Sequence, residues 1–192
     1  MQLLRDKKIK PLTAKKSLRP TTGKVREALF DILRQRIDKT RFLDLYAGTG
    51  AVGIEALKEG AAEVVFVESS NESINKIRQS AQKSGFYEKI KVITKRVLPF
   101  IEWAEAKGMT FDIIFLDPPY HTDEVVSALS AIGKSHLLDK EGMVIAEHFK
   151  KRELPGRFGK LYKLRDYKYG DSVLSLYTEV HNEQDCSISG DV

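Results

Sequence analysis

From Arg41 onward, short runs of β-branched and aromatic residues alternate with stretches whose apolar positions recur every three or four residues. The runs "RFLDLY" (41–46), "EVVFVE" (63–68), "KIKVIT" (89–94), "FDIIFL" (111–116) and "GMVIAE" (142–147) have the length and composition of buried strands. Between them the spacing predicts helices over about Val52–Glu59, from near Asn71 with Ile74, Ile77 and Ala81 on one face, around Phe100–Ala106, and near Asp123–Ile132. Such alternation implies an α/β fold with a mostly parallel sheet and helices on both faces. The period then changes to two in "KLYKLRDYKYGDSVLSLYTEV" (160–180), around a Tyr-Gly-Asp turn. This predicts a closing antiparallel hairpin and brings the expected sheet to seven strands.

Ahead of the first strand, Val25, Leu29, Ile32 and Leu33 form a helical stripe that Thr21 or Thr22 can cap. Residues 1–22 are polar and basic, are punctuated by Pro11 and Pro20, and lack apolar periodicity, so they read as an extension. The domain is assigned to residues 23–182, and the polar stretch 183–192 is expected to be disordered. A chain of 192 residues suits one domain with a sizeable core.

Charge changes the picture more than composition does. Residues 1–26 hold nine Lys/Arg against Asp6 alone, residues 150–168 hold eight against Glu153 and Asp166, and the rest of the chain carries a net −9 within the formal +5. Two basic segments on an acidic body suggest a footprint for a polyanion, although a charge run can also be a merely solvated surface. The four histidines lack metal-ligand spacing and the lone Cys186 sits in the polar tail, so neither metal nor disulfide is expected. The amino terminus has no apolar core of a signal peptide, and no run approaches the roughly 20 apolar residues of a membrane span. A soluble, cytoplasmic, monomeric protein is the expectation.

The candidate chemistry lies at strand ends. The first strand feeds "DLYAGTGAVG" (44–53), in which Gly48, Gly50 and Gly53 satisfy G-x-G-x-x-G, and Glu68 closes the second strand. Glycines let the backbone turn sharply and approach a ligand, and an acid after the second strand suits a ribose diol. The pattern is shared with nicotinamide-binding oxidoreductases. Asp44 discriminates, because a carboxylate there disfavours a diphosphate and favours a cationic ligand such as S-adenosylmethionine, whose carboxylate can take the loop's N–H groups. The fourth strand ends in Asp117-Pro118-Pro119-Tyr120, where two residues without N–H donors force the chain out of the sheet at its carboxyl end.

Together these features resemble class I S-adenosylmethionine-dependent methyltransferases of exocyclic or amide nitrogens. Reading outward, "RPTTGKVREALFDIL" (19–33), "FLDLYAGTGAVGIEAL" (42–57), "FVE" (66–68), "LDPPY" (116–120) and "YGDSVLSLY" (169–177) are similar, in order and spacing, to the bacterial 16S ribosomal RNA guanine-N2 methyltransferase family. The resemblance implies a Rossmann-like fold and S-adenosylmethionine as cofactor. It also implies transfer to a guanine N2 of 16S ribosomal RNA, naked or within an assembling small-subunit particle. It assigns Asp117, Pro118, Pro119 and Tyr120 to catalysis and Asp44, Tyr46, Ala47, Gly48, Thr49, Gly50, Glu68, Ser69, Arg96 and Val97 to the cofactor. Arg19, Thr21, Thr22, Lys24 and Arg26 fall to the RNA.

In this scheme Asp117 and the Pro118 carbonyl accept the two amine hydrogens and aim the nitrogen, while Tyr120 stacks on the flipped base. Arg96-Val97 departs from the Asn/Asp-Ala of many relatives. That leaves the Val97 N–H for the adenine N1 and no carboxylate or amide for its N6. A DNA adenine-N6 or protein amino-group methyltransferase would use the same core, and an RNA-binding module could keep the fold without the chemistry.

Overall fold

The computed structural model describes residues 23–120 and 122–179. Helix α1 (Gly23–Leu33) precedes a regular alternation of strands and helices. It runs through β1 (Arg41–Leu45), α2 (Ala51–Lys58), β2 (Glu63–Glu68), α3 (Asn71–Lys83), β3 (Ile90–Thr94), α4 (Val97–Ala106), β4 (Phe111–Leu116), α5 (Glu124–Ile132) and β5 (Leu138–Phe149). Three strands follow: β6 (Arg157–Phe158), β7 (Leu161–Tyr169) and β8 (Ser172–Glu179). Among the described residues, no helix is long and apolar enough to cross a membrane.

One sheet contains all eight strands, in the order β3-β2-β1-β4-β5-β8-β7-β6. β3, β2, β1, β4 and β5 are parallel, and β8, β7 and β6 join antiparallel. The hairpin turns through Gly170, whose φ of 63° suits the first central position of a two-residue turn. The sheet has one strand more than the seven the pattern counts. β6 is two residues long, too short to leave a period in the sequence.

Period-two burial divides the core into two layers. Leu43, Leu45, Val65, Val67, Ile114 and Leu116 face α4 and α5, packing on Phe100, Ile101, Leu129 and Ile132. Phe42, Val64, Phe66, Ile113, Phe115 and Ile145 face the other way, against α1, α2 and α3 through Leu29, Leu33, Ile54, Leu57 and Ile77. The central parallel strands therefore bury both faces, as their near-continuous apolar runs require. Helix α4 starts at Val97, three residues ahead of the expected Phe100. Pro99 falls in its first turn, where the missing N–H breaks no intrahelical bond.

Candidate active site

Strand order reverses between β1 and β4, since β1 leads outward to β2 and β3 while β4 leads the opposite way to β5. The carboxyl ends of two such strands open a crevice, the place where open α/β sheets bind ligands. The glycine loop leaves β1 on one side of it and Asp117-Pro118-Pro119-Tyr120 leaves β4 on the other.

Each loop glycine has its own reason. Gly48 and Gly50 hold φ of 53° and 78°, the left-handed region, and Gly50 caps α2. Gly53 is needed for contact instead, because a Cβ on it would lie 2.3 Å from Cε1 of Phe66, so α2 could not sit so closely on β2. Tyr46 also holds a positive φ, 63°, uncommon for an aromatic residue, with its hydroxyl bonded to Glu124 at the start of α5. Burial, and then the Glu124 charge, push that hydroxyl's pKa up. The Ala47 N–H donates to the Val67 carbonyl at 3.1 Å and ties the loop to β2, while Thr49 is exposed at the tip.

Two acids sit under this loop. Asp44 is 2% exposed, and its Oδ2 accepts the Gly53 N–H at 3.0 Å. Burial raises its pKa to about 7, against the lowering effect of the Gly53 bond and with help from the Glu68 charge. Among the described residues no Lys or Arg pairs with it, so this buried carboxyl suits a cationic group brought by a ligand. Glu68 accepts the Gly48 N–H on Oε2 at 2.9 Å, and the Ser69 and Ser70 N–H groups on Oε1 at 2.7 and 2.8 Å. It thus clasps the loop to the end of β2 while leaving Oε2 room for another donor.

Across the crevice, Asp117 is partly buried, Pro118 is buried, Pro119 is exposed and Tyr120 is half-buried. The Tyr120 hydroxyl donates to Glu147 Oε1 at 2.7 Å and lies 2.8 Å from Ser172 Oγ, and its ring stacks on Phe149 with centroids 6.0 Å apart. Burial, together with the Glu147 and Asp117 charges, raises the Tyr120 pKa, so the hydroxyl remains a donor. Glu147, Ser172 and Phe149 escaped the sequence reading because their links to Tyr120 span 27, 52 and 29 positions. One signal was present: an acid inside the apolar strand "MVIAEHF" has to be held by something.

The remaining assignments are more scattered. Arg96 is exposed just before α4, and Val97 begins that helix, where its N–H has no intrahelical partner. Lys24 is exposed and Arg26 partly buried on the first turns of α1, and neither is bonded to the acids at the strand ends among the described residues. Arg19, Thr21 and Thr22 lie outside the described residues.

The family model described as "Conserved hypothetical protein 95" matches residues 3–178. A Haemophilus influenzae protein named "Ribosomal RNA small subunit methyltransferase D" is 31% identical over 153 residues, 79% of this chain and 78% of that one. The chain belongs to this family of rRNA methyltransferases. A solved structure of a hypothetical protein from Thermus thermophilus superposes with a TM-score of 0.74 at 34% identity, covering 85% of this chain and 90% of that one. An Agrobacterium tumefaciens protein described as a SAM-dependent methyltransferase shares the fold, with a TM-score of 0.63 at 16% identity over 80% of this chain and 61% of its own. Family membership spans both banks of the crevice, since the matched residues include the glycine loop, Asp117-Pro118-Pro119-Tyr120 and the hairpin that carries Ser172.

Proposed function

We propose that the chain is an S-adenosylmethionine-dependent methyltransferase that modifies the exocyclic N2 of a guanine in 16S ribosomal RNA of the small subunit. The observation that carries this reading is the pairing, at one reversal of strand order, of an acid-floored glycine loop after β1 with Asp117-Pro118-Pro119-Tyr120 after β4. The name of the Haemophilus relative supports the substrate class.

The buried Asp44 suits a ligand ammonium, Glu68 suits a ribose hydroxyl through Oε2, and the N–H groups of the loop suit a carboxylate. Tyr46, Ala47, Thr49, Ser69 and the Val97 N–H surround the same end of the sheet. When bound, S-adenosylmethionine supplies an electrophilic methyl group. The chain's own task is to present a poor nucleophile, because the guanine amine delocalises its lone pair into the ring. Asp117 and the Pro118 carbonyl accept its two hydrogens, fix the nitrogen's direction and favour lone-pair density on it. The prolines stiffen that carbonyl, and Asp117 or water can take the proton released after transfer.

The test uses small-subunit particles and S-adenosylmethionine labelled in its methyl group. Label should appear on guanine N2 by nucleoside mass spectrometry and vanish when the target guanosine is replaced by inosine, which lacks that amine. Label on adenine, or on the inosine-containing RNA, overturns the choice of atom.

A further inference from the structure

Glu147 is fully buried on β5 with an orphaned oxygen. Oε1 receives the Tyr120 hydroxyl at 2.7 Å and the Ser172 hydroxyl at 3.0 Å, whereas Oε2 is buried without any hydrogen-bond partner among the described residues. An unsatisfied buried carboxylate oxygen costs more than an unsatisfied neutral group, so such an atom calls for an explanation. Two features link it to the methyl-transfer site. Glu147 packs with Pro118, Pro119 and Tyr120 around a narrow cleft that is closed to water in the free protein. Leu116, the last residue of β4, pairs with Ala146 on parallel β5, so Asp117 leaves β4 next to the position from which Glu147 rises on β5, and the charges of both act on the Tyr120 hydroxyl.

We infer that Glu147 is a specificity-determining residue that reads the N1–H of the target guanine while Asp117 and the Pro118 carbonyl hold its N2 amine. This rests on the guanine-N2 reading above. Guanine presents N1–H and the N2 amine side by side as donors on one edge, and an ionised carboxylate only accepts. Adenine beside its own amine offers an N1 lone pair, which a carboxylate repels. The pair Asp117 and Glu147 is therefore a row of acceptors matched to guanine and set against adenine, repelling the wrong base as well as attracting the right one. Oε1 holds the Tyr120 hydroxyl and Oε2 is buried, so a base reaches the carboxylate only by displacing the Tyr120 side chain. Ser172 keeps the carboxylate oriented throughout.

The experiment places 2-aminopurine at the guanosine that the wild-type enzyme methylates in reconstituted particles. That base keeps the N2 amine, but its N1 carries a lone pair and it lacks O6. Wild-type enzyme should prefer guanine by about 100-fold or more in kcat/KM. Glu147→Gln can donate its amide N–H to the bare N1, and the preference should fall at least tenfold while S-adenosylmethionine affinity stays at the wild-type value. Ser172→Ala, which keeps the carboxylate but loosens it, should lower the preference by a smaller factor and serves if Glu147→Gln does not fold. A wild-type enzyme indifferent to the two bases, or variants with the wild-type preference, would overturn the role of Glu147. Absence of methyl from guanine N2 in the unmodified particle would instead overturn the reading beneath it.

Discussion

Asp44 and Asp117 are both carboxylates at strand ends, and their surroundings give them different work. Asp44 has a pKa of about 7 where an ordinary aspartate has 3.8, chiefly through burial. A carboxyl whose pKa rises on folding contributes stability that is fully present below about 3.8 and is lost as pH rises through 7. Above 7 the fold carries a buried anion that a bound cation relieves. The increase in melting temperature given by saturating S-adenosylmethionine should therefore be larger at pH 8 than at pH 6, measurable by scanning calorimetry. An equal increase at both values would mean that Asp44 does not meet the ammonium. Asp117 is only partly buried and lies on the opposite bank. Asp117→Ala should lower kcat by a factor on the order of 100 or more while cofactor affinity in titration calorimetry holds, since the part proposed for it is to hold the target amine. Parallel loss of cofactor binding would make Asp117 a structural residue.

At the scale of elements, the glycine loop works because α2 lies almost on the surface of β2. Gly53→Ala would push a Cβ to 2.3 Å from Cε1 and 2.6 Å from Cζ of Phe66, and to 2.8 Å from Val64 Cγ1. A loss of about 1–3 kcal/mol is expected from such overpacking, read as a lower urea midpoint with unchanged slope. Cofactor affinity should fall with it, because α2 carries the loop. The strands and the loop were legible in the sequence because their signals are local: period, glycine spacing and an acid at a strand end. What stayed hidden depends on distant partners. β5 runs from Leu138, four residues ahead of the expected Gly142, because Leu138 pairs with Phe111 and the exposed polar stretch 139–141 bulges out where the register shifts between Phe111 and Ile113. The Glu147–Tyr120–Ser172 cluster and the use of Glu68 as a backbone clasp likewise leave no periodic trace.

Over the whole molecule, the second basic segment is the one whose charges the described residues account for. In 150–168, Lys150, Arg152 and Lys163 pair with Asp171, Asp123 and Asp166 at 2.8, 2.9 and 3.0 Å. Lys151, Arg157 and Arg165 lie over the rings of Phe149, Tyr162 and Tyr167. Many of this segment's cations thus have partners within the protein, and the part of the amino-terminal run, residues 1–26, in RNA binding is tested separately. Neutralising Lys15, Lys16, Arg19 and Lys24 together should flatten the salt dependence of RNA binding by roughly 0.7–0.9 for each phosphate that is no longer neutralised. A salt slope identical to wild type would make that run a solvated arm.

The hairpin gives the molecule an order of assembly. β8 lies between β5 and β7, and Ser172 at its first position bonds both Tyr120 and Glu147. A growing chain that has emerged only as far as residue 160 already contains the glycine loop, Asp117 and both prolines, yet the edge of β5 is bare and Tyr120 lacks one of its two anchors. The support of Tyr120 is therefore complete only once the hairpin has left the ribosome.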